Sequence, residues 1–142
     1  MGNVIKINDG FKTYDIQNQD GKLLGQFSFN PADTNIIKRY NDAVEKFSSI
    51  FDEIKEMGEE PDTIELFEKL DKKTYELIDG IFNADVSSNF FNVMGPFSPL
   101  ASGEFFVASV IGAIGQALEA EIGERVKKVN SKINKHTSKY HK

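Results

Sequence analysis

The hydrophobic positions change their spacing near residue 30, and this change divides the chain into a β part and a helical part. Within residues 1–30, apolar residues alternate with polar ones, as Phe27 and Phe29 do. A period of two is typical of a strand that buries one face. Residues 18–21 lie between two such runs and are turn-forming types. The sequence therefore predicts an N-terminal β-hairpin, or a three-stranded meander if residues 4–8 pair with it.

Three longer segments repeat their apolar residues at intervals of three and four, which is the period of an α-helix with one buried face. They predict helices near residues 33–57, 62–82 and 103–134. The residues expected to cap or end these helices are Asp33, Gly58, Asp62 and Ser102. The apolar stripes comprise, helix by helix, Ile37, Tyr40, Val44, Phe47, Phe51 and Ile54; Phe67, Leu70, Thr74, Leu77 and Ile81; and Val110, Ile114, Leu118, Ile122 and Val126. Further apolar residues widen each stripe: Ile36, Ala43 and Ile50 in the first helix, toward a second neighbour; Leu66, Ile78 and Phe82 in the second; and Phe106, Val107 and Ile111 in the third.

These elements predict a mainly α fold with a small N-terminal β-hairpin, an α+β class with a three-helix bundle-like body. A chain of 142 residues fits one domain. We expect a single domain over residues 1–135, in which residues 1–30 form the hairpin or meander and residues 33–135 form the helical body. Residues 136–142 are expected to be a flexible basic tail.

Six of the twelve phenylalanines fall between residues 82 and 106, in the least regular part of the sequence. A short helical turn is expected near residues 87–93, followed by a loop with two prolines. Large apolar side chains usually lie inside, so these residues could close one end of the bundle. They could instead form an exposed apolar patch for a protein partner. The candidates for such a patch are Phe90, Phe91, Phe97, Phe105 and Phe106.

Charge is distributed unevenly along the chain, whose net formal charge is −5. Residues 125–142 hold seven basic residues and no acid; the remaining ten basic and 22 acidic residues give residues 1–124 a charge of −12. A basic end on an acidic body suggests docking or self-association. Basic residues at a helix C-terminus also simply favour the helix dipole there. The basic candidates for partner binding are Arg125, Lys128 and Lys132.

The sequence contains no recognisable catalytic apparatus, and we expect no enzyme activity, cofactor or metal. There is no cysteine to act as a nucleophile or metal ligand. The two histidines, His136 and His141, fall in the predicted tail, where an imidazole cannot be held in a working position. Nucleic-acid binding is not expected either, because the acidic body would repel the phosphate backbone.

A cytoplasmic location without membrane insertion is the expectation from the apolar pattern. The first residues lack the apolar run of a secretion signal. The longest apolar stretch, residues 105–118, is too short to span a bilayer and is interrupted by Gln116. We interpret this stretch as a core helix.

The N-terminal third resembles a group of small phage and prophage proteins from Gram-positive bacteria. The resemblance is carried by the segments Tyr-Asp-Ile at 14–16, Asp-Gly-Lys at 20–22 and Gly-Gln-Phe-Ser-Phe-Asn-Pro-Ala-Asp at 25–33, continuing into residues 37–40. These proteins are similar in layout to siphophage tail assembly chaperones. The resemblance implies that the chain binds a tape-measure or tail-tube protein before the tail assembles. It implies no catalytic residue.

Two other hypotheses use the same features. An acidic helical body could mimic nucleic acid and make the chain a phage-encoded inhibitor that blocks a host protein. The apolar stripes could instead build a self-assembling structural protein of the particle. All three hypotheses describe a protein that binds other proteins, and we expect a homo-oligomer.

Overall fold

A computed structural model of the protein describes residues 2–57 and 63–138, and it describes side chains over 2–56 and 64–129 and at residue 131. Its elements, in chain order, are β1 (Lys12–Gln17), β2 (Leu23–Phe29), α1 (Thr34–Met57), α2 (Thr63–Phe82), α3 (Ser87–Phe91) and α4 (Phe106–Ser138). The predicted α+β class, mainly helical with an N-terminal hairpin, is confirmed. The predictions at Gly58 and Asp62 lie outside the described residues.

The hairpin forms because its turn satisfies its own backbone. The Asn18 side chain accepts the amides of Asp20 and Lys22 at 3.0 and 2.9 Å, and Gly21 takes the positive φ of 85° that the turn requires. β1 pairs with β2 in an antiparallel, two-stranded sheet. The predicted third strand is wrong, because residues 4–8 stay outside the sheet. A bend at Gly10, φ 73°, directs the chain elsewhere before β1 begins.

One face of the hairpin packs on the end of the helical body through aromatic rings. Phe29 lies against Tyr14 and against Phe82 of α2, with ring centroids 4.8 Å apart in each pair. Phe27 meets Phe82 and Phe90 edge-on at 5.0 and 5.7 Å. A lone two-stranded hairpin is marginal in water, so this aromatic contact stabilises it.

Helix α1 begins as predicted, with the Asp33 carboxylate accepting the Asn35 amide at 2.9 Å. Its buried positions are Phe47 of the predicted stripe and the three residues expected to widen it, Ile36, Ala43 and Ile50. Of the predicted stripe, Ile37 and Tyr40 are half-buried and Val44 is exposed. The core therefore lies on the side that faces α2, and the other half of the stripe looks toward α4.

Helix α4 starts at Phe106 rather than near residue 103, so the predicted Ser102 cap is wrong. Residues 96–105 form a tight loop instead, in which Val107 and Phe106 donate to the carbonyls of Pro96 and Ser98 at 2.7 and 2.9 Å. The helix continues through Ser138, beyond the predicted end. Its core positions are Val107, Val110, Ile114 and Leu118.

The predicted stripe of α4 leaves the core after Leu118: Ile122 is half-buried, and Val126 is exposed. The reason is geometric. A helix turns about 100° per residue, so apolar residues spaced by four advance about 40° around the axis at each step. Over the four steps from Val110 to Val126, the stripe moves to nearly the opposite side of the helix.

Candidate protein-binding surface

Most of the aromatic candidates are core residues. Phe90, Phe91 and Phe97 are 6, 9 and 8% exposed. The hypothesis of an exposed patch is therefore wrong for these three, because α3 and the following loop fold them against α2 and the hairpin. Phe105 and Phe106 are half-buried and pack edge-on against Phe97 and Phe91 at 5.6 and 5.9 Å. Neither offers a complete ring face to a partner.

Arg125 has an internal partner set. Its guanidinium donates to the side-chain oxygen of Asn30 at 2.7 Å, to the carbonyl of Gly10 at 2.9 Å and to Glu121 at 3.1 Å. Lys12 of β1 also donates to both oxygens of Glu121, at 3.0 and 3.1 Å. We call these five residues the latch. It attaches the second half of α4 to the base of the hairpin, so Arg125 contributes to holding the fold together.

Acid is expected to weaken the latch. The hydrogen bond from Lys12, followed by that from Arg125, holds the pKa of Glu121 below its ordinary value of 4.5. Because the folded pKa is the lower one, the contribution of Glu121 to stability is complete above pH 4.5 and is lost as pH falls through the folded pKa. When the pH is lowered from neutral to about 3, the melting temperature of the native chain should fall further than that of Glu121→Gln.

The matched control is Glu124→Gln, an exposed carboxylate on the same helix. That variant should follow the native chain across the whole titration. Equal acid sensitivity of the native chain and Glu121→Gln would contradict a stabilising role for this carboxylate.

Lys128 is exposed, and the side chain of Lys132 lies outside the described residues. Of the basic candidates whose side chains are described, Arg125 lies in the latch and Lys128 lies at the surface of α4. Neither position identifies a ligand. The charge contrast between the acidic body and the basic end remains a sequence observation.

An open groove of about 390 Å³ runs between α1 and α4. Its lining is more apolar than polar, and its polar residues include Asn41, Gln116 and Glu119. The lining residues are Ile37, Tyr40, Asn41, Gly112, Gly115, Gln116, Leu118, Glu119 and Ile122. No atom lies within 4 Å of the point where a Cβ on Gly112 would sit, so this glycine leaves open space. The groove contains Ile37 and Tyr40, two residues of the α1 stripe that the core leaves half-buried.

Tyr40 and Gly115 set the floor of the groove. The Tyr40 hydroxyl donates to the carbonyl of Ile111 at 3.0 Å, and its oxygen lies where a Cβ on Gly115 would be. Glycine is therefore needed for this close approach of α1 and α4. Burial, and then the nearby Glu119, raises the pKa of the Tyr40 phenol. Tyr40 accordingly remains a neutral hydrogen-bond donor at physiological pH.

The apolar surface of α4 is partly uncovered. Its most apolar 18-residue window has a mean hydropathy of 1.3, and 22% of that window is buried. Ile111 and Ile122 are half-buried, and Val126 and Val129 are 50 and 54% exposed. The segment Phe106–Val129 is long and apolar enough to cross a membrane by length and composition. The predicted stretch of 105–118 is therefore too short, because the apolar character continues through Ile122 and Val126. The core helix of a soluble protein meets the same criteria.

Two positioning residues lie outside the sequence predictions. Asp79, near the end of α2, accepts the amides of Val86 and Ser87 at 2.8 and 2.7 Å and so caps α3 from outside. At Gly25, a Cβ would come within 2.6 Å of the Asn89 Cβ, so α3 packs directly on the β2 backbone. Asn89 carries no sequence signal of its role, since its contact with Gly25 joins distant parts of the chain. The role of Asp79 depends on how the chain turns between α2 and α3.

Whether the described part of the chain could hold a metal ion depends on how its His, Cys, Asp and Glu side chains are grouped. No group of three or more His, Cys, Asp or Glu side chains is placed there to hold a metal ion. A second depression, between α1 and α2, is lined by both signs of charge on Lys46, Glu53, Lys73 and Glu76. Such a mixed rim is typical of solvated helix faces.

Comparison of the chain with protein-family models, curated proteins and solved structures gives no match. The resemblance to siphophage tail assembly chaperones therefore stays a prediction that rests on the N-terminal motif. The structure contributes a different kind of observation, which is an apolar helix with an open groove beside it in the part of the chain that is described.

Proposed function

We propose that the protein is a tail assembly chaperone of a bacteriophage or prophage. In this role it binds a tape-measure or tail-tube protein in the cytoplasm of the host bacterium before the tail assembles, and it performs no catalysis. The observation that carries the proposal is the open groove between α1 and α4, with Val126 and Val129 exposed further along α4. A groove between two helices is a common binding site for a partner helix.

The mode of binding that fits the groove is an amphipathic helix laid between α1 and α4. Ile37 and Tyr40 line one wall, and Val44 continues the same face of α1 one turn further on. Leu118 and Ile122 lie on the opposite side. A partner helix would bury its own apolar stripe here before assembly. The modest groove predicts moderate affinity, which suits a chaperone that must release its client.

Gly112→Glu is expected to abolish client binding while leaving the fold intact. Gly112 is exposed and faces open space, so a glutamate fits sterically and also improves helix propensity. Its carboxylate would occupy the apolar groove, where an unpaired charge is costly to bury. Co-expression with the tape-measure or tube protein from the same phage genome, followed by affinity capture, should show at least about a tenfold loss of binding.

The matched control is Gly80→Glu, on the exposed side of α2. The site of a Cβ on Gly80 is equally open, and the residue lies outside the groove. This variant should bind its client like the native chain. Failure of the native protein to capture either tail protein would overturn the proposed function, and equal loss in both glutamate variants would overturn the proposed surface.

The second candidate function is inhibition of a host protein, such as a defence enzyme with a basic groove. It is favoured by the solvent-facing acidic side chains of α1, which are Asp42, Glu45, Asp52, Glu53 and Glu56. Binding through these carboxylates would weaken steeply with added salt. Apolar binding through the α4 groove would change little with added salt, so the salt dependence of capture distinguishes the two functions.

A further inference from the structure

Residues 2–9 are exposed and include three apolar side chains that no other described residue covers. Ile5 and Ile7 are 91 and 81% exposed, and Val4 is exposed as well. The segment is not part of the sheet, yet its β-branched residues and alternating pattern are those of a strand. We call residues 2–10 the N-terminal arm. An arm of this composition gains free energy from any sheet edge that also buries its isoleucines.

The structure contains such an edge. Among the described residues, no hydrogen bond from outside the hairpin reaches the backbone of β1. The other strand is covered by α3, since the Asn92 side chain donates to the carbonyl of Leu24 and Asn89 packs on Gly25. In a two-stranded sheet, alternate amides and carbonyls of each strand point away from its neighbour. The outer side of β1 is therefore a template for a third strand.

The arm is anchored so that it leaves its own hairpin. The side chains of Asn8 and Asp9 accept the amides of Gly10 and Phe11 at 3.0 and 3.1 Å, which bends the chain just before β1. Arg125 holds the carbonyl of Gly10 at 2.9 Å. Folding back onto β1 of the same chain would require this bend and its latch contact to rearrange.

We propose that the arm of one copy adds as a third strand to the outer edge of β1 in a second copy, and that the exchange is reciprocal. The two copies would then form a symmetric dimer, because each provides one arm and one edge. This inference rests on the hairpin and not on the proposed function of the α4 groove.

Side-chain pattern and charge both fit this pairing. With a period of two, Ile5 and Ile7 lie on one side of the added strand and extend the face that already carries Tyr14 and Ile16. Lys6 then lies on the other side, the side of Asp15, which is the single acidic residue of β1. Opposite charges on neighbouring strands stabilise their pairing, so the arm and the edge are complementary.

Sedimentation velocity of the full chain tests the association. The native protein should reach a mass of twice 15.9 kDa as its concentration rises. The double variant Ile5→Asp with Ile7→Asp should raise the dissociation constant at least about 100-fold, because two apolar side chains no longer enter the interface. The matched control is Ile64→Asp, which changes an isoleucine of α2 that is 78% exposed. It should leave the association unchanged.

Disulfide trapping tests the location of the arm. Because the chain has no native cysteine, any disulfide that forms must join the introduced residues. A chain carrying Lys6→Cys is mixed with a chain carrying Thr13→Cys, Asp15→Cys or Gln17→Cys, the three positions on one side of β1. At least one mixture should give a disulfide-linked heterodimer after mild oxidation, since facing residues in adjacent strands come within disulfide reach.

The inference is overturned if the native chain stays monomeric at every concentration, or if none of the mixtures forms a heterodimer. It is also overturned if a single chain that carries Lys6→Cys and one of the β1 cysteines forms the disulfide within itself. The last result would assign the arm to its own hairpin as a third strand. Loss of association in the Ile64 control to the same degree as in the arm variant would likewise exclude the arm as its cause.

Discussion

Replacing Phe82 by alanine is expected to lower the free energy of unfolding by about 3 to 5 kcal/mol, the usual cost of deleting a buried phenylalanine ring. Phe82 is 9% exposed and ends α2. Its ring meets Phe29 and Phe27 edge-on, with centroids 4.8 and 5.0 Å away, and it stacks on Phe90 at 6.4 Å. One side chain thus joins the hairpin, α2 and α3.

The loss should fall mainly on the hairpin. A two-stranded sheet has little stability of its own, so removing its aromatic partner leaves the apolar face of β1 and β2 without cover. Urea unfolding followed by circular dichroism gives the total loss. Hydrogen exchange should show the amides of β1 and β2 losing more protection than those in the middle of α1.

Two variants calibrate this expectation. Phe82→Leu keeps most of the apolar volume and should cost less than about half as much. Phe11→Ala removes an exposed phenylalanine beside the hairpin and should change the stability by no more than about 0.5 kcal/mol. A Phe82→Ala variant with the stability of Phe11→Ala would show that the hairpin is held by other contacts.

The fold class follows from local signals. The turn at residues 18–21 and the N-cap at Asp33 act within a few residues of themselves, so the sequence predicts them correctly. The helical period likewise locates α1, α2 and α4, because burying one face requires apolar residues every three or four positions. The short helix α3 was expected for the same reason.

The helical period does not show which side of each helix faces which neighbour. A stripe of apolar residues shows that a helix has a buried side, but it does not say which neighbour covers which residue. In α1 the core takes Ile36 and Phe47, while Val44 is left exposed. In α4 the spacing of four moves the stripe around the axis, so Val126 leaves the core. These outcomes depend on packing between helices.

The candidate surface was only partly predictable. Clustered phenylalanines suggested a patch, yet burial of Phe90 and Phe91 is favourable because the loop after α2 can fold them inward. Arg125 was expected to face a partner, but its bonds to Asn30 and Gly10 span 95 and 115 residues of sequence. The groove depends on two helices meeting at Gly115, which no local pattern reveals.

Asp79 acts through contacts seven and eight residues further along the chain, and Asp79→Ala is expected to cost about 2 to 6 kcal/mol. The residue before α3 is Val86, whose side chain cannot cap a helix. Asp79 supplies the missing acceptor, with one oxygen receiving the amides of Val86 and Ser87. Both residues are buried, so alanine would leave two amides unpaired, each costing about 1 to 3 kcal/mol.

Comparison with two neighbouring substitutions separates the capping role from a general effect of charge. Asp79→Asn retains an oxygen that can accept the same amides and should recover more than about half of the loss. Asp85→Ala removes an exposed carboxylate from the same loop and should stay within about 0.5 kcal/mol of the native chain. Urea midpoints for the three variants give the comparison. If Asp79→Asn were as damaging as Asp79→Ala, the negative charge rather than the hydrogen-bond acceptor would hold α3 in place, and α3 would depend on electrostatics that added salt should weaken.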